Sequence, residues 1–342
     1  MSNTLTTKEL SNGSVLSQTV PQYISDRSRE LREKTQAIQQ EHLSPFVSFL
    51  SKNGVSTWGE LEKHHILQFK TTQREEAELA ETTLAARLVV VRTFLKWTRA
   101  YYDVSEDIID ATETAIPDLD PEEWARDGHI NTEQAQSTLS WFEDSPAYGT
   151  RPHVVFALIW HVGMRRGTLR ALDVDDVHLK DRRISIRNRP PSTPLKNGKY
   201  GQRDVNISDN IARVLEEYLD DHRDEGTVEE EIKDVGMVSR DPLLTSAFGR
   251  VDGTTLYRDV TSVTCCGECG RTRRESHKCS EAVGPHDLRR SSLTHHVRSD
   301  IDRSLISDRA NVGEETLALH YDQSTYEEQA ELRRDPIMKK LD

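Results

Sequence analysis

Several residues in the second half of the chain have the types to grip phosphate oxygens and move protons. His286 and Arg289 lie three apart in His286-Asp287-Leu288-Arg289, a spacing that shares one face of a helix or tight turn. There the arginine can neutralise phosphoryl charge, and the histidine can move a proton or donate a hydrogen bond. Arg165, in Gly163-Met164-Arg165-Arg166-Gly167, follows an apolar helical stretch, where a guanidinium can fork onto two phosphate oxygens. Tyr321, in His320-Tyr321-Asp322, has a hydroxyl that becomes a nucleophile once nearby cations stabilise its developing charge. Tyr326 is a rival, but Glu327 and Glu328 follow it, a poor place to build negative charge. Singly, each feature is commonplace: helix-end arginines are usually surface charges, and an isolated tyrosine or histidine is usually structural. Their order carries the argument.

A second constellation is Cys265-Cys266-Gly267-Glu268-Cys269 followed by His277-Lys278-Cys279. Clustered cysteines outside a secreted disulfide framework suggest metal or thiol chemistry. Cys266, Cys269, His277 and Cys279 supply three thiolates and one imidazole, the donor set of a structural zinc site, with Cys265 able to replace Cys266. Such a zinc would leave no open position for catalysis. Reduced, unliganded cysteines on a loop are the alternative.

These residues need elements to hold them. Residues 1–21 are polar and Ser/Thr-rich and read as a disordered tail without a signal-peptide core. Residues 22–117 read as a small helical domain. Thr57 and Glu60 have capping-box spacing, and Leu84, Leu88, Val91 and Leu95 form one apolar stripe. Pro117, Asp118, Asp120 and Pro121 mark a linker over 118–130. A second domain, 131–342, carries a Cys-rich insertion at 264–280. Its helices are expected over 132–142, 152–161, 211–219, 289–297, 302–308, 314–319 and 326–334. Ile184 with Ile186, and Val205 with Ile207, alternate with polar residues as strands do. Between them Asn197-Gly198 signals a tight hairpin turn, which would put Lys196 and Lys199 at its tip. The longest apolar run, Val154–Trp160, is too short to span a bilayer, and the cytoplasm is the expected compartment.

Composition pulls the other way at first. The 342 residues carry a net charge of −13, and nucleic-acid binders are expected to be basic. The charge is segregated, however. Residues 182–203 hold Arg182, Arg183, Arg187, Arg189, Lys196, Lys199 and Arg203 without one acid among them, whereas 216–234 hold ten acids and two bases. The basic block suits phosphate contact; pairing with the acidic segment is the alternative. With 32 Arg against 13 Lys, the acidity also fits a salt-adapted cytoplasm.

An Arg after a helix, a Lys on a hairpin, an HxxR and a Tyr near the C-terminus, in that order, resemble the tyrosine recombinase (phage integrase) family. The first family motif, T-G-x-R-x-x-E-x-x-x-L, is matched by Val162 to Leu172 at the Gly, the Arg and the Leu, with Thr168 in place of Glu. The His or Trp expected nine residues before the Tyr is Val312. Ser307–Val312 and His320-Tyr321-Asp322 look especially like haloarchaeal integrase-like proteins. The resemblance implies a mainly α (α+β) tyrosine recombinase fold: a helical, SAM-like core-binding domain and a mostly helical catalytic domain with a small antiparallel β-sheet, closing as a clamp on double-stranded DNA. It implies catalytic Arg165, Lys196, His286, Arg289 and Tyr321, with Lys199 the second choice for the hairpin lysine. From the basic block, Arg183, Arg187, Arg189, Lys199 and Arg203 are the expected DNA contacts. The resemblance implies chemistry without a cofactor, a 3′-phosphotyrosyl intermediate and four protomers on paired sites, the helix from Tyr326 to Arg334 packing on a neighbour. A non-catalytic DNA-binding descendant and a type IB topoisomerase-like relaxing enzyme are the alternatives.

Overall fold

The computed structural model describes residues 15–28, 31, 33–75, 77–119, 128–299 and 301–320. The chain divides into two units, Met1–Ala125 and Arg126–Asp342. The expected linker falls partly outside the described residues.

The first unit is helical: α1 (Val15–Asp26), α2 (Glu33–Lys52), α3 (Lys63–Glu75), α4 (Glu81–Arg99) and α5 (Glu106–Ala115). The disordered tail expected over 1–21 is therefore wrong from Val15 on: Leu16 and Val20 are buried in the helical core and Thr19 accepts from Trp58 Nε1 at 3.0 Å. The stripe Leu84, Leu88, Val91 and Leu95 on α4 is wholly buried, against Phe46, Leu50, Phe69 and Ile108 among others. Glu60 accepts from the backbone N–H groups of Ser56 at 2.7 Å and Thr57 at 3.1 Å, closing the capping box of a single 3₁₀ turn, Trp58–Glu60.

The second unit is built around α7 (Arg151–Val162), which follows α6 (Thr132–Glu143). Nine of the twelve residues of α7 are buried, as expected of a helix that is apolar on every side. The short α8 (Arg166–Ala171) leads into a three-stranded antiparallel sheet in the order β1 (Val177–His178), β2 (Arg183–Ile186), β3 (Arg203–Asn206), with Ile184 opposite Val205. Beyond α9 (Asp209–Glu217) come two hairpins, β4 (Val228–Ile232) with β5 (Gly236–Arg240) and β6 (Thr245–Ser246) with β7 (Gly249–Arg250). Then follow α10 (Gly253–Thr264), α11 (Pro285–Arg298), α12 (Arg303–Ala310) and α13 (Glu314–His320). Among the described residues no helix is long and apolar enough to cross a membrane.

The β2–β3 connection differs from the tight turn expected of Asn197-Gly198. It runs from Arg187 to Gln202 and contains a 3₁₀ turn, Gly198–Gly201. Only Gly198 has positive φ, 54°, while Asn197 sits at φ −100°, and a type I′ turn needs both positive.

The acidic stretch after α9 is partly structural. Arg240 and Arg250 share Asp173 (2.6 and 2.8 Å) and Glu230 (2.6 and 2.7 Å), in a largely buried network that fastens both hairpins to the end of α8.

Candidate active site

Three helix ends meet at Gly163. It terminates α7 at φ 66°, its N–H returning to the Ile159 carbonyl at 2.9 Å. A Cβ there would stand 3.0 Å from Leu293 Cδ2 on α11 and 3.3 Å from Ala310 Cβ at the end of α12. Backbone conformation and close packing therefore both call for glycine. Two residues later Arg165 caps α8, its carbonyl accepting from Thr168 at 2.8 Å and Leu169 at 3.0 Å. Thr168, where the family motif has Glu, is buried.

Arg289 crosses this junction from α11. Its Nη1 donates to the Gly163 carbonyl and its Nη2 to the Ala310 carbonyl at 3.0 Å, and the residue is 3% exposed. Ser292, on the same helix, donates to the Trp160 carbonyl at 2.6 Å. The HxxR arginine thus ties the ends of α7 and α12 to α11.

His286 stands in the first turn of α11, beside Pro285, which fits there because its missing N–H has no intrahelical partner to lose. The residue remains exposed. Its imidazole pKa is nonetheless held below the ordinary value, first by loss of surrounding water, then by Arg289, Lys196 and Arg290, with Asp287 opposing. A neutral ring at physiological pH can both accept and donate.

Lys196 is on the β2–β3 connection, near enough for its charge to act on His286. The loop is anchored by buried Leu195, whose N–H donates to Asn188 Oδ1 at 2.9 Å, and by Asn197, whose Nδ2 donates to Asn311 Oδ1 at 2.9 Å. Asn311 ends α12 in the left-handed region, φ 51°, a conformation asparagine tolerates better than most residues. Lys196 and Lys199 are exposed.

The other basic residues of the block are placed differently. Arg183 and Arg187 share Asp204, each at 2.7 Å, and Arg189 pairs with Asp176 at 2.6 Å. Arg203 donates to the Arg309 carbonyl at 2.7 Å and the Gly201 carbonyl at 2.9 Å. Burial, then the charges of Arg165 and Arg309, lower its pKa to about 10, so it keeps its charge at neutral pH. Arg309, to which sequence reasoning assigns no role, is therefore a neighbour of this cationic group. Its Nη2 donates to the His161 carbonyl at 3.4 Å. No motif marks it; only its place at the end of α12 does.

Val312 is buried with Leu293, Val297, Ile306, Ala310 and Leu317. The position that the family fills with His or Trp here belongs to a small apolar core beneath α13. Tyr321 follows His320, the last residue of α13, and lies outside the described residues, as do Tyr326 and the helix expected over 326–334.

The cysteine segment lies between α10 and α11. The structure groups the sulfurs of Cys265, Cys266, Cys269 and Cys279; His277 is exposed and is not among them.

This frame of helices, with its small antiparallel sheet and an arginine-bearing junction, is that of the tyrosine recombinases. The Phage integrase family profile matches residues 129–328, and the chain belongs to that family. The tyrosine recombinase XerC of Herpetosiphon aurantiacus is 24% identical over 270 residues, covering 78% of this chain and 77% of that protein. The tyrosine recombinase XerC of Actinobacillus succinogenes is 26% identical over 158 residues, covering 46% of this chain and 51% of that one. Among solved structures, the Tn1549 transposon integrase in complex with transposon right end DNA matches with a TM-score of 0.69 at 12% identity, over 93% of this chain and 98% of that one. A lambda integrase dimer bound to a COC′ core site matches at 0.61 and 13% identity, over 91% of this chain and 79% of that one. These structural likenesses establish the fold.

Proposed function

We propose that this chain is a site-specific DNA recombinase in which Tyr321 is the nucleophile. The Tyr321 oxygen forms a bond to a backbone phosphorus, the bond from that phosphorus to the 5′-oxygen breaks, and the enzyme holds a 3′-phosphotyrosyl end. Lys196 delivers the proton to the departing 5′-oxygen. His286, neutral and within electrostatic reach of Lys196 and Arg289, takes up the proton that the Tyr321 hydroxyl releases. Arg165 and Arg289 stabilise the charge on the non-bridging oxygens. The phosphotyrosyl bond keeps the energy of the broken linkage, so a 5′-hydroxyl from another strand can reverse the step without a nucleotide. In this reading the guanidiniums supply the charge stabilisation, and a metal at the cysteine group would be structural.

The observation that supports the reading most is the junction at Gly163. Arg289 ties together there the helix end that precedes Arg165 and the helix end that leads through α13 to Tyr321.

The partner is duplex DNA, bound by four protomers on paired sites within the cytoplasm. Exposed Lys196 and Lys199 are the first candidates for DNA contact. Arg183, Arg187, Arg189 and Arg203 contribute to the positive potential mainly from behind their own partners. The surplus of acid and scarcity of lysine support a salty working solvent of the haloarchaeal kind.

A second reading, a DNA-binding protein without cleavage, is favoured by buried Thr168 and Val312 at two positions where the family places polar support. Arg165→Ala separates the two. The recombinase reading expects wild type to form a covalent adduct with a nicked suicide substrate, and the variant to bind that DNA while forming almost none. A wild type that binds its own site and never forms the adduct, at low or molar salt, would establish the second reading instead.

A further inference from the structure

The segment between α10 and α11 raises a folding problem. Residues 266–275 are all exposed, and their sequence, Cys-Gly-Glu-Cys-Gly-Arg-Thr-Arg-Arg-Glu, offers no large apolar side chain. Gly267 and Gly270 have φ values of 72° and 63° with nothing within 4 Å of their missing Cβ atoms. Such a segment gains little from burial to offset the entropy of ordering. Its ends are held, by contrast. Thr261 and Ser276 hydroxyls meet at 2.8 Å, and the Val283 N–H donates to Thr264 Oγ1 at 3.1 Å. Asp259, fully buried, pairs with Arg151 at 2.9 Å and also with Arg273.

What the middle of the segment has is sulfur. The four Sγ atoms of Cys265, Cys266, Cys269 and Cys279 all lie within 4.8 Å of one another. Cys265 and Cys269 approach to 3.2 Å, and Cys266 and Cys279 to 3.6 Å. A tetrahedral zinc with bonds of about 2.3 Å has sulfurs about 3.8 Å apart, so the Cys266–Cys279 pair already has nearly that spacing, while the Cys265–Cys269 pair must open by roughly 0.6 Å to close on the ion. A disulfide would require about 2.05 Å within a pair.

We infer that Cys265, Cys266, Cys269 and Cys279 form a four-thiolate structural zinc site, and that His277 is not a ligand. The ion crosslinks the end of α10 to the stretch that runs through buried Val283 into Gly284, Pro285 and His286. It is therefore a positioning element for the start of α11. Zinc at such a site supplies the folding energy that a small core cannot.

The full-length protein, purified without chelator, tests this by zinc analysis and by exchange with cobalt(II), whose absorption reports thiolate count. The expected result is one zinc per chain, a four-thiolate cobalt spectrum, and the same spectrum from His277→Ala. Cys265→Ser should lower the zinc content or shift the spectrum towards three sulfurs. If Cys265→Ser does not fold, the wild-type and His277→Ala spectra still decide. A spectrum altered by His277→Ala, four free thiols with no zinc bound, or two disulfides found by mass spectrometry would each overturn the assignment. None of these readouts uses DNA, so failure here is distinct from failure of the recombinase reading, on which only the link to His286 depends. For that link, removal of zinc should slow formation of the covalent adduct, with restoration when zinc alone is returned. An unchanged rate in the metal-free protein would overturn it.

Discussion

Arg289 donates a hydrogen bond to the carbonyl oxygen of Gly163, 126 residues earlier in the chain. With its second bond to Ala310, this makes one guanidinium both a structural tie and a member of the proposed phosphate clamp. Replacing Arg289 therefore mixes stability with chemistry, and lysine cannot reproduce the fork. Cleaner tests lie at neighbouring positions.

Gly163→Ala tests the junction. The alanine must hold φ 66° and stand 3.0 Å from Leu293, so a loss of about 2 kcal/mol is expected. Urea unfolding followed by tryptophan fluorescence should show a lowered midpoint, together with slower adduct formation. An unchanged midpoint would mean that the close approach is relieved at no cost.

Lys196→Ala tests the general acid. Adduct formation should fall roughly 10²- to 10⁴-fold. A substrate with sulfur in place of the bridging 5′-oxygen has a leaving group that needs no proton, and it should recover most of that loss for Lys196→Ala but not for Arg165→Ala. Equal slowing of both variants on both substrates would remove Lys196 from this role.

Asp173→Asn tests the network beneath the hairpins. Arg240 and Arg250 each keep about 5% side-chain exposure or less, and both contact Asp173. Removing its charge leaves buried cations short of a partner, at a cost of about 3–5 kcal/mol. Asp209, in an exposed pair with Arg182, is the control, and Asp209→Asn should leave stability unmoved. Similar unfolding midpoints for the two variants would contradict the account.

His153 predicts a pH dependence. Its ring stacks on Phe142 at 4.4 Å, and its Nδ1 accepts the Gly149 N–H at 3.2 Å. Burial, helped by His161, lowers its pKa from 6.5 to about 4. Between those values the unfolded chain binds the proton and the folded chain does not, so stability falls as pH drops from 6.5 towards 4. His153→Phe should flatten the unfolding free energy against pH in that window. An equally steep profile in the variant would assign the dependence elsewhere, such as to His296, whose pKa is also lowered to about 4.

Local pattern made much of the frame legible. The α4 stripe is buried as its spacing requires, and Ile184 pairs with Val205, because a buried face imposes its period on the sequence. The β2–β3 connection was less legible. Asn197-Gly198 is a local signal, but the loop is shaped by buried Leu195 and by Asn311, 114 residues away. The hairpins after α9 are held by Asp173 and Glu230, charges that a linear reading sees only as acidity. Residue spacing pointed to Cys266, Cys269, His277 and Cys279, with Cys265 only as a replacement for Cys266. That the sulfur of Cys265 stands with the other three depends on the path of the chain, as does the place of Arg309 beside Arg203.

The most direct test of the central claim is the covalent adduct itself. A nicked suicide substrate incubated with the wild-type chain should trap DNA on the peptide that contains Tyr321, and Tyr321→Phe should bind the same DNA and trap none. An adduct retained by Tyr321→Phe, or mapped to Tyr326, would contradict the assignment of the nucleophile.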